Sequence, residues 1–276
     1  MTQRIRTSVA AAALLAGSAV LGTTSPASAV PAWAPFATAT VKPGVQTLTN
    51  GGQCTANFVF YDNNNDVYIG QSAHCASTGG PTDTNGCITG SQPLGTNVTV
   101  RGATYPGKLA YSSWRAMQSA STPPTADQCA YNDFALVKLD TRDYGKVNPS
   151  IPKWGGPVAL NTTGAGWLSS VYTYGNSSLR FGISQLSPKT GVMRLGATGS
   201  VWSYRVYTVT PGIPGDSGSA FLDSAGNALG TLSTVSADGS NGVANLNLAL
   251  NYMRANSSFT TVQLAMGTQA FNPSLV

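Results

Sequence analysis

The sequence predicts an all-β protein of the barrel or sandwich kind, and three observations carry that expectation. Short runs rich in β-formers recur along the chain, among them Thr55–Tyr61, Asn97–Arg101, Ala135–Leu139, Ser169–Tyr174 and Val201–Thr210. Turn residues punctuate them, drawn from 31 glycines and 16 prolines in 276 residues. No long amphipathic helical pattern interrupts the series before residue 246. With 42% hydrophobic residues the chain has enough apolar surface for one large domain or two small ones. It shows no repeat of solenoid or propeller period.

At the N-terminus Arg4 and Arg6 precede an apolar run from about Val9 to Leu21, followed by the small residues Ala27-Ser28-Ala29. This is the layout of a secretory signal peptide over residues 1–29, and the run is too short for a membrane anchor. Residues 30–48 carry Pro31, Pro35 and Pro43 and read as an extended arm or short pro-segment. The folded domain is expected over 49–276.

Thr55–Tyr61 and Val67–Gly70 flank Asp62-Asn63-Asn64-Asn65-Asp66, a β-hairpin with a polar turn. The turn resembles the start of a calcium loop. Val67 stands where such a loop needs glycine, however, and Ala73 where it needs a bidentate acid, so the turn is read as structural. His74, the one histidine of the chain, follows directly and is adjoined by Cys75. A lone histidine in a β-protein is often a hydrogen-bonded structural residue. Here a bridge from Cys75 back to Cys54 would fix the backbone beside the imidazole. Four cysteines allow three connectivities. Cys54–Cys75 with Cys87–Cys129 is the expected one, in an oxidising compartment.

Residues 76–130 read as hairpins and surface loops, with strands at Asn97–Arg101 and Lys108–Tyr111. Asp133 leads directly into the apolar strand Phe134–Leu139. An aspartate there is commonly a solvated turn residue, yet a buried one is what a catalytic imidazole needs to hold its tautomer. Further strands are expected at Gly155–Leu160, Ser169–Tyr174, Arg194–Gly196 and Val201–Thr210. The N-x-[ST] sequences at Asn97, Asn161, Asn176 and Asn256 suggest surface loops. Leu246, Ala249, Leu250 and Met253 recur at helical spacing after Asn245, a suitable cap, while Leu246-Leu248-Leu250 reads equally as a strand.

Gly215-Asp216-Ser217-Gly218-Ser219 is the stretch on which the functional reading turns. Glycines on either side of a serine suit a tight turn that exposes its hydroxyl and aims backbone N–H groups at one point. A serine hydroxyl is a weak nucleophile until a base takes its proton, and His74 is the only histidine available. The alternative for the stretch is a glycine-rich hairpin.

Composition narrows the chemistry further. All ten acids are aspartates, which excludes a catalytic glutamate and the H-E-x-x-H zinc site. One histidine and four separated cysteines offer no metal set, and no cofactor is expected. The net charge of +5 falls to +3 without Arg4 and Arg6, and no Lys/Arg run forms a nucleic-acid footprint. No membrane partner is expected either.

The order His74, Asp133, Ser217 separates the hydrolase folds. An α/β-hydrolase needs its histidine after the serine and a glycine where Ser219 stands. A subtilisin needs aspartate before histidine; Asp62 or Asp66 could supply it, but the α/β pattern is missing. Ser-Ala-His-Cys (72–75), Asn-Asp-Phe-Ala-Leu-Val-Lys-Leu (132–139) and Gly-Asp-Ser-Gly-Ser (215–219) resemble the chymotrypsin-like (trypsin-like) serine proteases, particularly secreted bacterial members. The resemblance covers roughly residues 45 to 260. It implies two six-stranded antiparallel β-barrels, about 49–155 and 156–276, a short C-terminal helix and an active site in the cleft.

It also implies roles: Ser217 as nucleophile, His74 as general base and acid, Asp133 as the group orienting His74, and the N–H groups of Gly215 and Ser217 as oxyanion hole. Protein or peptide substrates, a monomer and an extracellular location follow from the same likeness. Three departures from the animal digestive enzymes stand out. No Arg-Ile-Val-Gly-Gly activation site precedes Cys54, so Asp216 needs an internal partner such as Arg180 or Arg194. Pro211 occupies the position where a protease cutting after Lys or Arg carries aspartate, and Pro211-Gly212-Ile213-Pro214 holds no acid. Ser233-Thr234-Val235 matches the substrate-binding strand, with Val235 replacing a glycine and narrowing the pocket. An esterase on the same scaffold, or a binding protein descended from it, are the competing functions; the second usually lacks a triad member, and none is missing here.

Overall fold

A computed structural model describes residues 1, 30–194 and 200–274. The expected signal peptide lies outside these residues apart from Met1. The expected strand at Arg194–Gly196 lies outside them beyond Arg194.

Among the described residues fourteen strands form two sheets, accompanied by three α-helices. The first sheet is built from β1 (Gln46–Thr49), β2 (Gly52–Thr55), β3 (Val59–Tyr61), β4 (Val67–Gln71), β5 (Asn97–Val100), β6 (Gly107–Ser112) and β7 (Ala135–Lys138). Between β6 and β7 lie α1 (Ser113–Gln118) and α2 (Ala126–Tyr131). The second contains β8 (Ser170–Tyr174), β9 (Pro188–Arg194), β10 (Ser203–Thr208), β11 (Ala220–Leu222), β12 (Ala228–Val235) and β13 (Asn241–Asn245). Helix α3 (Leu246–Ala255) and β14 (Gln263–Leu264) complete the chain.

The second sheet is a closed six-stranded barrel in the order β10-β13-β12-β11-β8-β9. The first departs from the expected six-stranded barrel: it is an open ladder of eight, β14-β3-β4-β7-β6-β5-β1-β2. The reason is local. The segment expected as one strand breaks between Thr55 and Val59, where Ala56 N–H turns to the Val45 carbonyl and Asn57 N–H to that of Gly70. Its halves, β2 and β3, therefore stand at opposite sides of the ladder, joined through residues 56–58. After α3 the chain returns to this first sheet, where β14 pairs with the outer edge of β3.

Other expectations also change. Gly155–Leu160 forms no strand: Gly155 and Gly156 have φ of 67° and 60°, Pro157 has no N–H to give a ladder, and the segment makes just two isolated bridges, Gly155 to Ile151 and Leu160 to Ala228. The stretch read as loops contains α1 and α2. Thr125-Ala126-Asp127-Gln128 closes a reciprocal capping box at the start of α2, a signal present in the sequence. Asn161 is buried, its amide bonded to Asp223 and the Gly164 carbonyl, rather than displayed on a loop. The segment 30–48 packs as part of the fold. Val41 is fully buried, Ala34 N–H donates to the Val147 carbonyl, and Trp33 meets Tyr61 edge-on.

One apolar cluster joins the two sheets. Phe60 and Leu136 of the first sheet, with the adjoining Phe58 and Phe134, pack with Leu222 and Ala228 from the second, and with Leu250 and Met253 of α3. Burying side chains of this size contributes about 1.5–3 kcal/mol each, so the two sheets are held in one fixed relation. Helix α3 starts where Asn245 caps it, its carboxamide oxygen accepting from Leu248 N–H at 3.3 Å. Among the described residues no helix is long and apolar enough to cross a membrane.

Candidate active site

His74 lies in a short 3-10 turn, Ala73–Ala76, directly after β4. A disulfide joins Cys75 to Cys54 of β2 across 21 residues, a closure that stabilises by about 3 kcal/mol on the chain-entropy account. The second disulfide joins Cys87 to Cys129 of α2. With both sulfurs beside His74 joined to each other, that cluster offers no thiolate to a metal.

Asp133 sits at the entry to β7 and grips His74 twice. Its Oδ1 accepts the His74 backbone N–H at 2.9 Å, and its Oδ2 lies 2.6 Å from Nδ1 of the ring. The Asp133 side chain is only 5% exposed, and that of His74 27%. Burial disfavours the imidazolium, but the neighbouring carboxylate outweighs it and holds the His74 pKa above its ordinary value. Burial likewise pushes the Asp133 carboxyl up. The charge of His74, with hydrogen bonds from its ring, from Ser233 and from its backbone, overcomes this and leaves the carboxyl below its usual range.

The half-exposed Ser217 sits in the turn between β10 and β11, where Gly215 and Gly218 have φ of 96° and 86°. Left-handed φ of this kind favours glycine. At Gly218 a side chain would also meet the Thr55 carbonyl at 2.6 Å and the Ser72 nitrogen at 3.0 Å. That closeness seats the turn on the segment carrying His74. Thr55 N–H donates to the Ser217 carbonyl at 2.8 Å, and the Ser72 hydroxyl and Gly218 N–H both donate to the Leu232 carbonyl. Among the described residues neither Gly215 N–H nor Ser217 N–H has a protein acceptor.

Asp216, the next residue back, is buried. Arg180 grips both its oxygens, and Lys189 Nζ lies 3.0 Å from Oδ2. The backbone N–H groups of Ser177 and Ile213 add one bond each. Burial opposes this carboxylate, but the bonds from Arg180 and the two positive charges keep its pKa below the usual range. Of the two arginines weighed from the sequence, Arg180 is the partner. Arg194 instead reaches Tyr207 and Asp238. Lys189 was not foreseen; its only sequence signal is a lysine at the start of a strand.

The residues expected to bind substrate divide. Ser233 turns its hydroxyl inward, 2.6 Å from Asp133 Oδ2, so its side chain belongs to the His74–Asp133 network. Gly212 donates its N–H to Asn241 Oδ1 at 2.8 Å, and a Cβ there would meet Leu232, Asn241 and Val235 within 3.2 Å. Val235 is 46% exposed at the end of β12, with Thr234 beside it and half-buried. Pro211 is exposed, and its carbonyl accepts from Lys189. Trp114 of α1, also unforeseen, neighbours the imidazole with ring centroids 6.5 Å apart and planes tilted by 44°. The calcium-like turn is closed by its own groups. Asp62 accepts from Asn64 N–H, Asp66 N–H and the Tyr68 hydroxyl, while Asp66 pairs with Lys138 and Tyr144.

No family model matches the chain, and no curated protein matches it with significance. Solved structures do. Protease A of Thermobifida fusca superposes with a TM-score of 0.51 at 17% identity, over 82% of this chain and 99% of that one. A Glu endopeptidase superposes with a TM-score of 0.50 at 16% identity, over 76% of this chain and 89% of that one. The chain therefore has the chymotrypsin-like fold of bacterial serine proteases.

Proposed function

We propose that the protein is a secreted serine endopeptidase that cuts protein or peptide substrates through an acyl-enzyme. The observation that carries this reading is the buried His74–Asp133 pair beside a Ser217 turn whose adjacent N–H groups are unspent. Ser217 Oγ attacks the scissile carbonyl while His74 takes its proton. Asp133 holds the ring so that Nδ1 keeps its hydrogen and Nε2 is free to act, and it stabilises the imidazolium that forms. Gly215 and Ser217 N–H groups receive the oxyanion, where loss of one donor costs about 10²–10³ in rate. His74 then returns the proton to the leaving amine, and water attacks the acyl-enzyme by the same route.

The specificity reading rests on Pro211, Gly212, Ser233, Thr234 and Val235. The Val235 Cγ2 comes to 3.2 Å of where a Gly212 Cβ would stand, and Leu232 to 2.8 Å, which leaves little depth between these walls. Pro211 supplies no negative charge. Small or apolar residues before the scissile bond fit such walls; lysine and arginine do not. Two disulfides and the N-terminal apolar segment agree with an extracellular site of action.

The test pairs the purified protein with its Ser217→Ala variant, first with a fluorophosphonate probe and then with a mixed peptide library. Labelling and peptide cleavage by the unaltered protein alone support the reading. Absence of both would sink it. Labelling with cleavage of esters but not peptides would make it an esterase.

A further inference from the structure

Asp216 is held by more positive charge than its neutralisation requires. Arg180 by itself covers both carboxylate oxygens. Lys189 brings a second buried cation, 5% exposed, to the same oxygen. An unneutralised buried charge is costly, and an apolar residue of similar length would suit stability better. The extra ammonium therefore needs a reason other than stability.

Its second bond supplies one. Lys189 Nζ donates to the Pro211 carbonyl at 2.8 Å as well as to Asp216 at 3.0 Å. These acceptors stand at the two ends of Pro211–Asp216, the segment that leads from the pocket wall into the Ser217 turn. Between them Ile213 and Asp216 are bonded to each other twice, and the Pro214 carbonyl accepts from the Ser177 hydroxyl. One ammonium thus closes the segment end to end. Gly215 N–H follows the Pro214 carbonyl within this closed segment.

We propose that Lys189 is a positioning residue whose charged ammonium fastens the pocket wall at Pro211 to the Ser217 turn through Asp216, so that activity fails at alkaline pH while the fold persists. This rests on the serine-hydrolase reading above. Arg180, from the segment after β8, and Asp216, from the turn, are the charged groups that act on Lys189 among the described residues; β8 and β10 bring none to it. Burial lowers the Lys189 pKa below its ordinary 10.5, against the attraction of Asp216 and with the repulsion of Arg180 adding to it. Between the lowered value and 10.5 the unfolded chain holds the extra proton, so this group makes the fold more stable as pH rises. Deprotonation weakens the tie without loosening the protein, and activity and stability separate.

The experiment measures kcat and KM for peptide cleavage from pH 6 to 11, with circular dichroism at each pH, for the unaltered protein, Lys189→Met and Lys189→Arg. The unaltered protein should lose activity reversibly below about pH 10.5 with its dichroism intact. Lys189→Met should fall about 10–100-fold in kcat at neutral pH and show no such alkaline limb. Lys189→Arg should keep its activity and move the limb upward, because a guanidinium stays charged. If Lys189→Met does not fold, the shift in Lys189→Arg decides alone. An alkaline limb unmoved in the variants, or one that follows loss of dichroism, overturns the proposal. Fluorophosphonate labelling at pH 7.5 separates the two levels. Without labelling of the unaltered protein the hydrolase reading and this inference both fall; with labelling and an unmoved limb, only this inference falls.

Discussion

Ser233 Oγ lies 2.6 Å from Oδ2 of Asp133, the same carboxylate oxygen that faces the His74 ring. Ser233 belongs to β12 of the closed barrel and Asp133 leads β7 of the open sheet, so one buried carboxylate ties the two sheets at the candidate catalytic base.

Replacing Ser233 by alanine leaves Asp133 with its bonds to His74 but without this donor. A loss of about 1–3 kcal/mol in stability is expected, read as a lower urea midpoint. A fall in kcat should accompany it, because the carboxylate that aims the imidazole is less firmly held. Ser233→Thr, which keeps a hydroxyl, should restore both.

Asp133→Asn should leave the fold intact and lower kcat by roughly 10⁴, since an amide no longer selects the tautomer with hydrogen on Nδ1. Circular dichroism and active-site titration on the same sample check this. A fully active variant would remove Asp133 from the site.

The His74 pKa is raised, and the base must be neutral to accept the Ser217 proton. The acid limb of kcat/KM should therefore have its midpoint above 6.5, the ordinary histidine value. Stability carries the opposite sign. The extra stability from the charged pair is fully present below 6.5 and is lost as pH rises through the folded-state value. Equilibrium unfolding from pH 5 to 9 reads that term directly.

Arg180→Met breaks the two-pronged grip on buried Asp216 while Lys189 still pairs with it, and should cost about 1–3 kcal/mol. The depressed Asp216 pKa contributes stability above the ordinary value of 3.8, and this is lost as pH falls through the lower folded value. The variant, whose Asp216 is less acidic, should unfold at a higher pH on acid titration than the unaltered protein.

Val235→Gly removes the side chain that faces Gly212. Cleavage should extend to larger side chains before the scissile bond, with relative kcat/KM rising roughly 10-fold or more. An unchanged cleavage profile across a peptide library would take Val235 out of the pocket.

Much of this site was legible because its chemistry is sparse. A chain with a single histidine offers one candidate imidazole, and Asp133 and Ser217 each sit in a short, distinctive context of strand or glycine turn. The capping box at Thr125–Gln128 was equally local, although overlooked amid glycine, serine and proline. At α3 the cap and apolar spacing competed with an alternating Leu246-Leu248-Leu250 strand pattern, and the folded chain forms the helix. Other features were hidden for a definite reason. A strand pattern reports which residues are β-formers, not where a ladder breaks, so Thr55–Tyr61 read as one strand and the sheet as a closed barrel. Gly155–Leu160 read as a strand because its composition says nothing of backbone direction, which the two left-handed glycines set.

By itself, the sequence determined the β-rich architecture, the order of His74, Asp133 and Ser217, and the absence of an Arg-Ile-Val-Gly-Gly stretch before Cys54, which made an internal partner for Asp216 the expectation. The tertiary structure alone decided who fills that place. Arg180 lies in the polar segment after β8, and Lys189 and Arg194 near the two ends of β9; their distances from Asp216 depend on how β8 and β9 close the barrel. Buried charge must find its counter-charge through space, and only the folded chain brings Arg180 and Lys189, 36 and 27 residues away, onto one carboxylate.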